Sequence, residues 1–467
     1  MQWTMQLEAK TGQGEVKTTE LLTFSRPAMA STLAEVGLML AEAKALLATL
    51  QASMLCGQVA EYAARCRLCP ACGVLQPLKD RRTRRIQTLF GAVEVEAPRI
   101  RVCRCRVSAP MAEVVFSPVC ALLTARCTPE LERMQAELGA RTSFREAARI
   151  LGALLPVSPA NHESVRLRTH AVAVRLEAAD RQAATAVMAT QDGHRPGQTA
   201  TADASRPIVM LDGAYVRAVP GHQTRNFEAI CGKVEHEGCS PRRFAFVRSV
   251  AEQPHALLRA ALLEQGWRES DTVTAISDGD PALPALARAA TKAPVEPILD
   301  WFHLSMRVRH VEQALLGLYA LEPAHQAPLD RAQADVERLR SLLWNGRHED
   351  ASEALGRIAS WTEHAILTNG AAVAAKARKL VTFCTALRTY IGNNEGALID
   401  YGERYEAGKP ISTSRAEGTV NHLVSARMNK RQQMRWTPTG AHRVLQVRAA
   451  VLDKRCGFGQ QPIQLAA

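Results

Sequence analysis

The order of apolar and polar positions predicts a mixed sheet in the middle of the chain. The β-rich or apolar runs that predict its strands are 207–217, 227–234, 244–247, 272–276 and 295–299. The first three are spaced as a meander, and the last two each follow a helical stretch, over residues 254–265 and 281–291. Hairpin strands followed by β–α–β units are typical of a sheet that is antiparallel on one side and parallel on the other. We therefore predict an α/β domain built on a mixed sheet.

The N-terminal pattern predicts strands within residues 1–26, where Trp3, Met5 and Leu7 alternate with polar residues, and then a long helix. The helix is predicted to begin at Thr32, because Thr32 and Glu35 fit a capping box. Its apolar stripe consists of Leu33, Val36, Leu40, Ala43, Leu47, Leu50 and Met54. Such a heptad stripe indicates either a coiled-coil contact or an ordinary amphipathic core helix.

Two other regions are predicted to be helical. The first runs from Pro129 to about residue 185, and the segment after Ser143 followed by a second helix capped by Ser158 has helix-turn-helix spacing. The second covers residues 304–400, with a turn at Asn345. Residues 187–206 are rich in Gly, Thr and Ala and predict a linker.

Composition bounds the class of protein. The chain has 467 residues, 47% of them apolar, and a formal net charge of +12, so its length predicts about three domains. The basic balance suits a polyanion such as nucleic acid, although solubility alone is an equally open explanation. Because we find no secretory signal and no apolar run of membrane-spanning length, we expect a cytoplasmic protein.

Twelve cysteines are present, and several fall in close pairs. Cys69 and Cys72 form a CxxC turn with Pro and Gly, and Cys103 and Cys105 follow after a predicted hairpin at residues 88–95. Two thiol pairs separated by a strand segment are what a tetrahedral zinc ribbon needs, and Cys66 lies near enough in the sequence to replace one of the four. The alternative is a set of thiols without a metal.

Two basic segments are candidates for contacts with phosphates. The first consists of Lys79, Arg81, Arg82, Arg84 and Arg85, and the second of Lys430, Arg431 and Arg435. Arginine and lysine contacts to the phosphate backbone supply most of the sequence-independent affinity for DNA. A solvated basic face is the alternative for both segments.

Carboxylates end the apolar runs that predict three of the strands. Asp212 ends the first run, Asp278 and Asp280 end another, and Asp300 comes directly after the last. Acids at the ends of neighbouring strands can converge at one edge of a sheet, and clustered carboxylates are ligands for hard divalent cations such as Mg²⁺ or Mn²⁺. Two such ions can activate water and stabilise the leaving oxygen at phosphorus. On spacing alone, the Asp-Gly pairs are equally explained as turns, and Glu417 as a helix cap.

Taken together, several motifs resemble bacterial insertion-sequence transposases of the DDE type, related to the Mutator-like group. These motifs are 211–215, 276–280, 299–303, 414–421 and 427–436, with the Cys-rich segment upstream. The resemblance covers most of residues 30–450. It implies an RNase H-like catalytic domain with an all-helical insertion before the glutamate helix.

The resemblance also implies roles for individual residues. Asp212, Asp278 and Glu417 would hold two Mg²⁺ or Mn²⁺ ions, with Asp280 as a rival for the second position. Asp300 and His303 match a family motif near the active site. The implied reaction is metal-dependent hydrolysis at the element ends, then transfer of the freed 3′-hydroxyl into target DNA, by a homo-oligomer on DNA in the bacterial nucleoid.

These predictions divide the chain into seven segments. They are 1–60 (strand and striped helix), 61–127 (zinc-ribbon-like module), 128–186 (helix-turn-helix-like DNA-binding region), 187–206 (linker), 207–303 (first part of the catalytic domain), 304–405 (helical insertion) and 406–467 (the Glu417 helix and basic tail). Two other functions remain open from the sequence. One is an RNase H-like nuclease or resolvase without strand transfer, and the other is a non-catalytic DNA-binding regulator.

Overall fold

Helices and strands are described for residues 1–456 of the computed structural model, except 13, 30–31, 34–35, 107–113, 158–160, 190–205, 270, 320–325, 369, 414–417, 430–431 and 433. The chain divides into two units, Met1–Val172 and Ala173–Arg455. Each unit has its own clusters of buried apolar side chains. Among the described residues, no helix is both long and apolar enough to cross a membrane.

The first unit contains two small antiparallel sheets. Strands β1 (Gln2–Lys10) and β2 (Val16–Ser25) pair with each other, which confirms the strands predicted within residues 1–26. Strands β3 (Leu78–Thr88), β4 (Gly91–Arg101) and β5 (Val115–Phe116) form the second sheet. The predicted hairpin is therefore present, but its first strand is longer than predicted and includes the whole basic segment from Lys79 to Arg85.

Helix α1 (Leu40–Arg65) begins eight residues later than the sequence indicates. The prediction of a helix from Thr32 is wrong because Gly37 has φ +77°, a left-handed conformation that ends any helical run. The cap instead uses Glu42, whose carboxylate accepts from the backbone N–H of Met39 at 2.9 Å. Towards its C-terminal end the helix buries Val59 against the β3–β4 sheet.

The helical region of the first unit agrees closely with the prediction. Helices α2 (Pro118–Leu122), α3 (Pro129–Arg141), α4 (Phe144–Leu154) and α5 (His162–Ala189) succeed one another. The Ser143 hydroxyl caps α4 by accepting from Glu146 N–H at 3.2 Å. The predicted cap Ser158 lies outside the described residues, and Asn161 accepts from Glu163 N–H at 2.9 Å at the start of α5. From Ala173 onward, α5 belongs to the second unit.

The second unit is built on the mixed five-stranded sheet that the sequence predicts. Its strands are β6 (Ile208–Arg217), β7 (Asn226–Glu235), β8 (Arg242–Val247), β9 (Val273–Ser277) and β10 (Val295–Leu299). Their spatial order is β10-β9-β6-β7-β8, parallel between β10, β9 and β6 and antiparallel from β6 to β8. Helices α6 (Pro254–Glu264) and α7 (Ala282–Thr291) connect the later strands, and their leucines pack on one face of the sheet.

A block of helices comes after β10, as predicted for residues 304–400. It comprises α8 (Trp301–Tyr319), α9 (Gln326–Trp344), α10 (His348–Thr368) and α11 (Ala371–Asn393), with the short α12 (Tyr401–Glu406) after it. The predicted turn at Asn345 is confirmed, with Gly346 at φ +70°. Ile276 and Ile298 of the sheet share one buried cluster with these helices, so the block packs directly against the sheet.

The last helix, α13 (Pro438–Leu452), covers the edge strand β8. Val247 N–H donates to His442 Nδ1 at 3.2 Å, and Gln446 donates to the carbonyl of Ala245 at 2.8 Å. Near the end of the helix, Arg243 N–H donates to the Asp453 carboxylate at 2.7 Å. These side chains satisfy alternate backbone groups of β8 that would otherwise be free to pair with another strand.

An ion network fixes the end of the same sheet. Arg242 has a side chain only 2% exposed and pairs with three carboxylates, those of Asp180, Glu264 and Asp453. A guanidinium buried without partners would be costly, and the three acids offset that cost. Asp180 lies on α5, so the network ties the C-terminal half of that helix to the sheet.

Candidate active site and cysteine cluster

Three aspartates lie at one level across three adjacent strands of the mixed sheet. In the parallel ladders Met210 pairs with Ile276, and Ser277 pairs with Leu299. Continuing both registers to the strand ends aligns Asp212 on β6 with Asp278 after β9, and Asp278 with Asp300 after β10. Neighbouring strands are about 4.8 Å apart, so the backbones of the three acids are adjacent at this end of the sheet, while their carboxylate oxygens do not all lie within 4.8 Å of one another.

The electrostatics agree with this register. Burial raises the pKa of Asp212 to about 6, and the negative charges of Asp278 and Asp300 add to the effect, while the positive charge of His303 opposes it. Three carboxylates and one imidazole therefore feel one another's charge in this cluster. Ionising a buried carboxylate beside other acids costs free energy, and a bound divalent cation would offset that cost.

Asp300 is fully buried and orients His303. Its carboxylate accepts from His303 Nδ1 at 2.9 Å, from Phe302 N–H at 2.8 Å and from the hydroxyl of Thr413. Burial alone would raise the pKa of Asp300, but these hydrogen bonds lower it below its ordinary value. The hydrogen bond to Asp300 raises the pKa of His303 in return, with further support from the charges of Asp212 and Asp278. The imidazole is thus poised to carry a positive charge beside the acids.

Asp280, the rival for the second position, is engaged elsewhere. Arg248 donates to one of its carboxylate oxygens at 2.6 Å and also pairs with Glu228 at 3.1 Å. The other oxygen of Asp280 accepts from Ala282 N–H at 2.9 Å, at the start of α7. Asp280 is therefore a helix cap and ion-pair partner, and Asp278 is the acid that lies level with Asp212.

Helix α11 reaches over the second acid, a contact that the sequence patterns do not predict. The hydroxyl of Tyr390 donates to the backbone carbonyl of Asp278 at 2.7 Å, and the Arg307 guanidinium lies 4.0 Å from the centre of the Tyr390 ring. One turn further along, the Asn394 amide lies 3.0 Å from where a side chain at Gly279 would begin. Tyr390 and Asn394 are four residues apart, but that spacing alone does not reveal which loop they touch.

Some residues predicted for this site lie outside the part of the chain that the structure describes. These are Glu417, Lys430 and Arg431. The described chain resumes at Gly418 with a helix that continues through the π-helical turn Asn421–Ser425. Arg435 is described and exposed.

Four cysteines of the first unit form a compact group. Their sulfurs, on Cys69, Cys72, Cys103 and Cys105, all lie within 4.8 Å of one another. The closest pair, Cys103 and Cys105, is 3.4 Å apart, and Cys69 lies 3.5 Å from Cys105. Four thiolates around a zinc ion, with Zn–S bonds of about 2.3 Å, are about 3.8 Å from one another, so the group can hold a zinc ion with little adjustment.

Backbone hydrogen bonds favour the thiolate form of one of these cysteines, which is the form that binds a metal. Hydrogen bonds from the backbone at Ala71 and then at Cys72 lower the pKa of Cys69 to about 6, although burial opposes the shift. The neighbouring thiols, Cys103 first, raise the pKa of Cys105 to about 12, because four thiolates cannot coexist without a cation. Cys66 is not part of the group, and its thiol interacts with Tyr62 instead.

The first basic segment lies along β3 beside the cysteine group. Lys79, Arg81, Arg82 and Arg85 are exposed, whereas Arg84 is half-buried and donates to the carbonyl of Thr124 at 3.1 Å. Arg81 also pairs with Glu96 at 2.9 Å. Four of the five predicted cations are therefore exposed on one strand, and Arg81 and Arg85 share a face of it that can meet phosphates.

Comparison with known proteins gives no match, either to a protein-family model or to a curated protein sequence.

Proposed function

We propose that this protein is a DNA transposase of the DDE type, with an RNase H-like catalytic domain in its second unit. The observation that carries the proposal is the alignment of Asp212, Asp278 and Asp300 at one edge of the mixed sheet, where the pKa of Asp212 is raised to about 6. The order of the five strands, counted along the chain as 5-4-1-2-3, supports the RNase H-like assignment. The helical block before the Glu417 segment supports the resemblance to insertion-sequence transposases.

The donor set fits Mg²⁺ or Mn²⁺. Carboxylate oxygens are the ligands that these hard cations prefer, and Asp212, Asp278 and Glu417 are the residues that would hold them. When bound, the cations would lower the pKa of water and stabilise the charge on a leaving oxygen at phosphorus. The protein itself fixes the positions of the acids through the sheet, and Asp300 holds the His303 imidazole beside them. A charged His303 can attract a DNA phosphate to the cluster.

The first unit is proposed to bind the element ends. Its cysteine group would hold a structural zinc ion, which fixes the turns flanking the β3–β4 hairpin. The exposed cations of β3 would then contact DNA phosphates, and helices α4 and α5 would act as a helix-turn-helix-like element. Such contacts would place the second unit's acids on the DNA for hydrolysis and strand transfer.

The test uses the full-length protein and a donor DNA that carries the gene with its natural flanking sequence. With Mg²⁺, the protein is expected to cut the element ends and join the 3′-hydroxyls to a target plasmid, and both products are counted by sequencing the junctions. Asp212→Asn, Asp278→Asn and Glu417→Gln are each expected to reduce both products by at least about a thousandfold, as loss of a metal ligand does to a two-metal reaction.

Asp280→Asn is the matched control, because it makes the same chemical change in the same loop as Asp278→Asn. The acid that it removes pairs with Arg248 and caps α7 instead of facing Asp212. The control should retain cutting and joining within roughly tenfold of the unaltered protein. Cutting without joining would support a nuclease or resolvase instead. If Asp212→Asn excised the element as well as the unaltered protein does, the catalytic proposal would be wrong.

A further inference from the structure

The hairpin of β6 and β7 extends beyond the rest of the mixed sheet. Strand β8 pairs with β7 only from Ala229 to Val234, and β9 pairs with β6 only at Ile208–Met210. Beyond these pairs, the outer edge of β6 contacts the segment before α13, where the Asn429 amide donates to the carbonyl of Tyr215 at 2.8 Å. The end of the hairpin is therefore held by Asn429 and Trp436 on its β6 side instead of by another strand of the mixed sheet.

The tip of the hairpin is closed into a fixed shape by the segment before α13. Val219 N–H donates to the carbonyl of Trp436, and Trp436 N–H donates to the carbonyl of Arg217, both at 3.0 Å. Across the hairpin, Ala218 N–H donates to the carbonyl of Arg225 at 3.0 Å. Because these bonds use only the backbone, they leave the guanidinium groups of Arg217 and Arg225 free of any role in closing the tip.

A basic cavity of about 220 Å³ opens at this tip. Arg217, Arg225 and Arg435 line it together with His222 and Thr224, and no carboxylate is among the described residues around it. All three arginines are exposed, and none has an ion pair with any carboxylate that the structure describes. Three guanidinium groups around one cavity repel one another, and an anion with several oxygens removes that repulsion while accepting hydrogen bonds.

We infer that this cavity binds a phosphodiester of the DNA backbone, at a site separate from the acidic cluster. Arg217 lies five residues along β6 from Asp212, which is about 17 Å in an extended strand. The cavity therefore does not belong to the metal site, and it would hold the duplex some distance from the cleaved bond. The choice of DNA as the source of the phosphate rests on the proposed function.

The experiment compares two triple variants of the full-length protein that lose the same charge. The cavity variant is Arg217→Gln, Arg225→Gln and Arg435→Gln. The control is Arg338→Gln, Arg340→Gln and Arg378→Gln, which removes three exposed arginines of helices α9 and α11. Binding of a fluorescent duplex of about 30 base pairs, a length that spans a typical site, is measured by anisotropy in Ca²⁺ across a range of salt concentrations.

Each phosphate contact that is lost should make the slope of log K against log salt shallower by about 0.9, so the cavity variant, which loses one phosphodiester, should lose about 0.9. The control should keep the slope of the unaltered protein. Circular dichroism verifies that both variants are folded. An unchanged slope in the cavity variant, or an equal loss in the control, would overturn the inference.

The outcome is independent of catalysis. If the cavity determines the slope but the unaltered protein never cuts DNA in Mg²⁺, the transposase proposal fails and the phosphate site stands. If the protein cuts and joins DNA while the cavity variant binds with an unchanged slope, only the phosphate site fails.

Discussion

Replacing Asp212 by asparagine should make the metal-free protein more stable. Asparagine has nearly the same shape as the carboxyl but cannot ionise. The pKa of Asp212 is about 6 in the folded protein, against an ordinary value of 3.8. Since the folded pKa is raised, ionisation opposes folding, so the penalty is absent below about pH 4 and complete above about pH 6. At about 1.4 kcal/mol per pH unit, the penalty reaches at most about 3 kcal/mol.

The assay is thermal unfolding of the unaltered protein and Asp212→Asn, in EDTA, at pH 4 and at pH 8. At pH 8 the variant should melt on the order of 5 °C higher, given about 2 °C per kcal/mol for a unit of this size. At pH 4 the two melting temperatures should coincide. Mg²⁺ should then raise the melting temperature of the unaltered protein at pH 8, by mass action, and leave that of the variant nearly unchanged.

Asp280→Asn serves as the control, because it should change the melting temperature in the opposite direction. Partial burial tends to raise the pKa of Asp280, but the hydrogen bonds from Arg248 and the Ala282 backbone, together with the charge of Arg248, outweigh it and lower the pKa overall. A lowered pKa contributes stability above the ordinary value, and that stability is lost as the pH falls. Asp280→Asn should therefore melt slightly lower at pH 8, by less than about 1 kcal/mol. If Asp212→Asn and Asp280→Asn shift the pH 8 melting temperature in the same direction, the repulsive cluster around Asp212 is refuted.

Three other predictions concern the metal, the buried ion network and the contact from α11. Cys105→Ser should lose a zinc ion that native mass spectrometry detects in the unaltered protein, whereas Cys66→Ser should keep it, since Cys66 lies outside the group; equal zinc content in both would contradict the site. Arg242→Met should lower the free energy of unfolding in urea by about 3 kcal/mol, the lower end of the cost of breaking a buried ion pair, because Asp453 keeps Arg243 and Asp180 keeps Arg455 as partners; a loss below about 1 kcal/mol would show that the network is dispensable. Tyr390→Phe should slow Mg²⁺-dependent cutting several-fold without changing DNA affinity, because it removes one hydrogen bond to the carbonyl of Asp278; an unchanged cutting rate would mean that this bond does not position the acid.

Much of the second unit can be predicted from local sequence. Each strand of the mixed sheet lies within two residues of its prediction, because apolar runs bounded by polar turns have few other ways to bury themselves. The four cysteines of the proposed zinc site are also recoverable from spacing, since each close pair forms a turn whatever surrounds it. The start of α1 shows where local pattern is insufficient: the apolar stripe continues through residues 33–36, but the backbone at Gly37 leaves the helical region.

The sequence alone shows that acids end three of the strands, but which of these acids come together depends on how the strands pair. No sequence pattern distinguishes Asp278 from Asp280. The register of β6 on β9 aligns Asp278 with Asp212, whereas Asp280 pairs with Arg248, which is distant in the sequence. The same holds for Tyr390 over Asp278 and for the arginines that meet where the segment before α13 closes the hairpin tip. The period of apolar residues shows which side of a helix or strand is buried, because each residue's own polarity determines whether it can be buried. Convergence of charged groups depends on which distant segments pack together, and no local pattern records that.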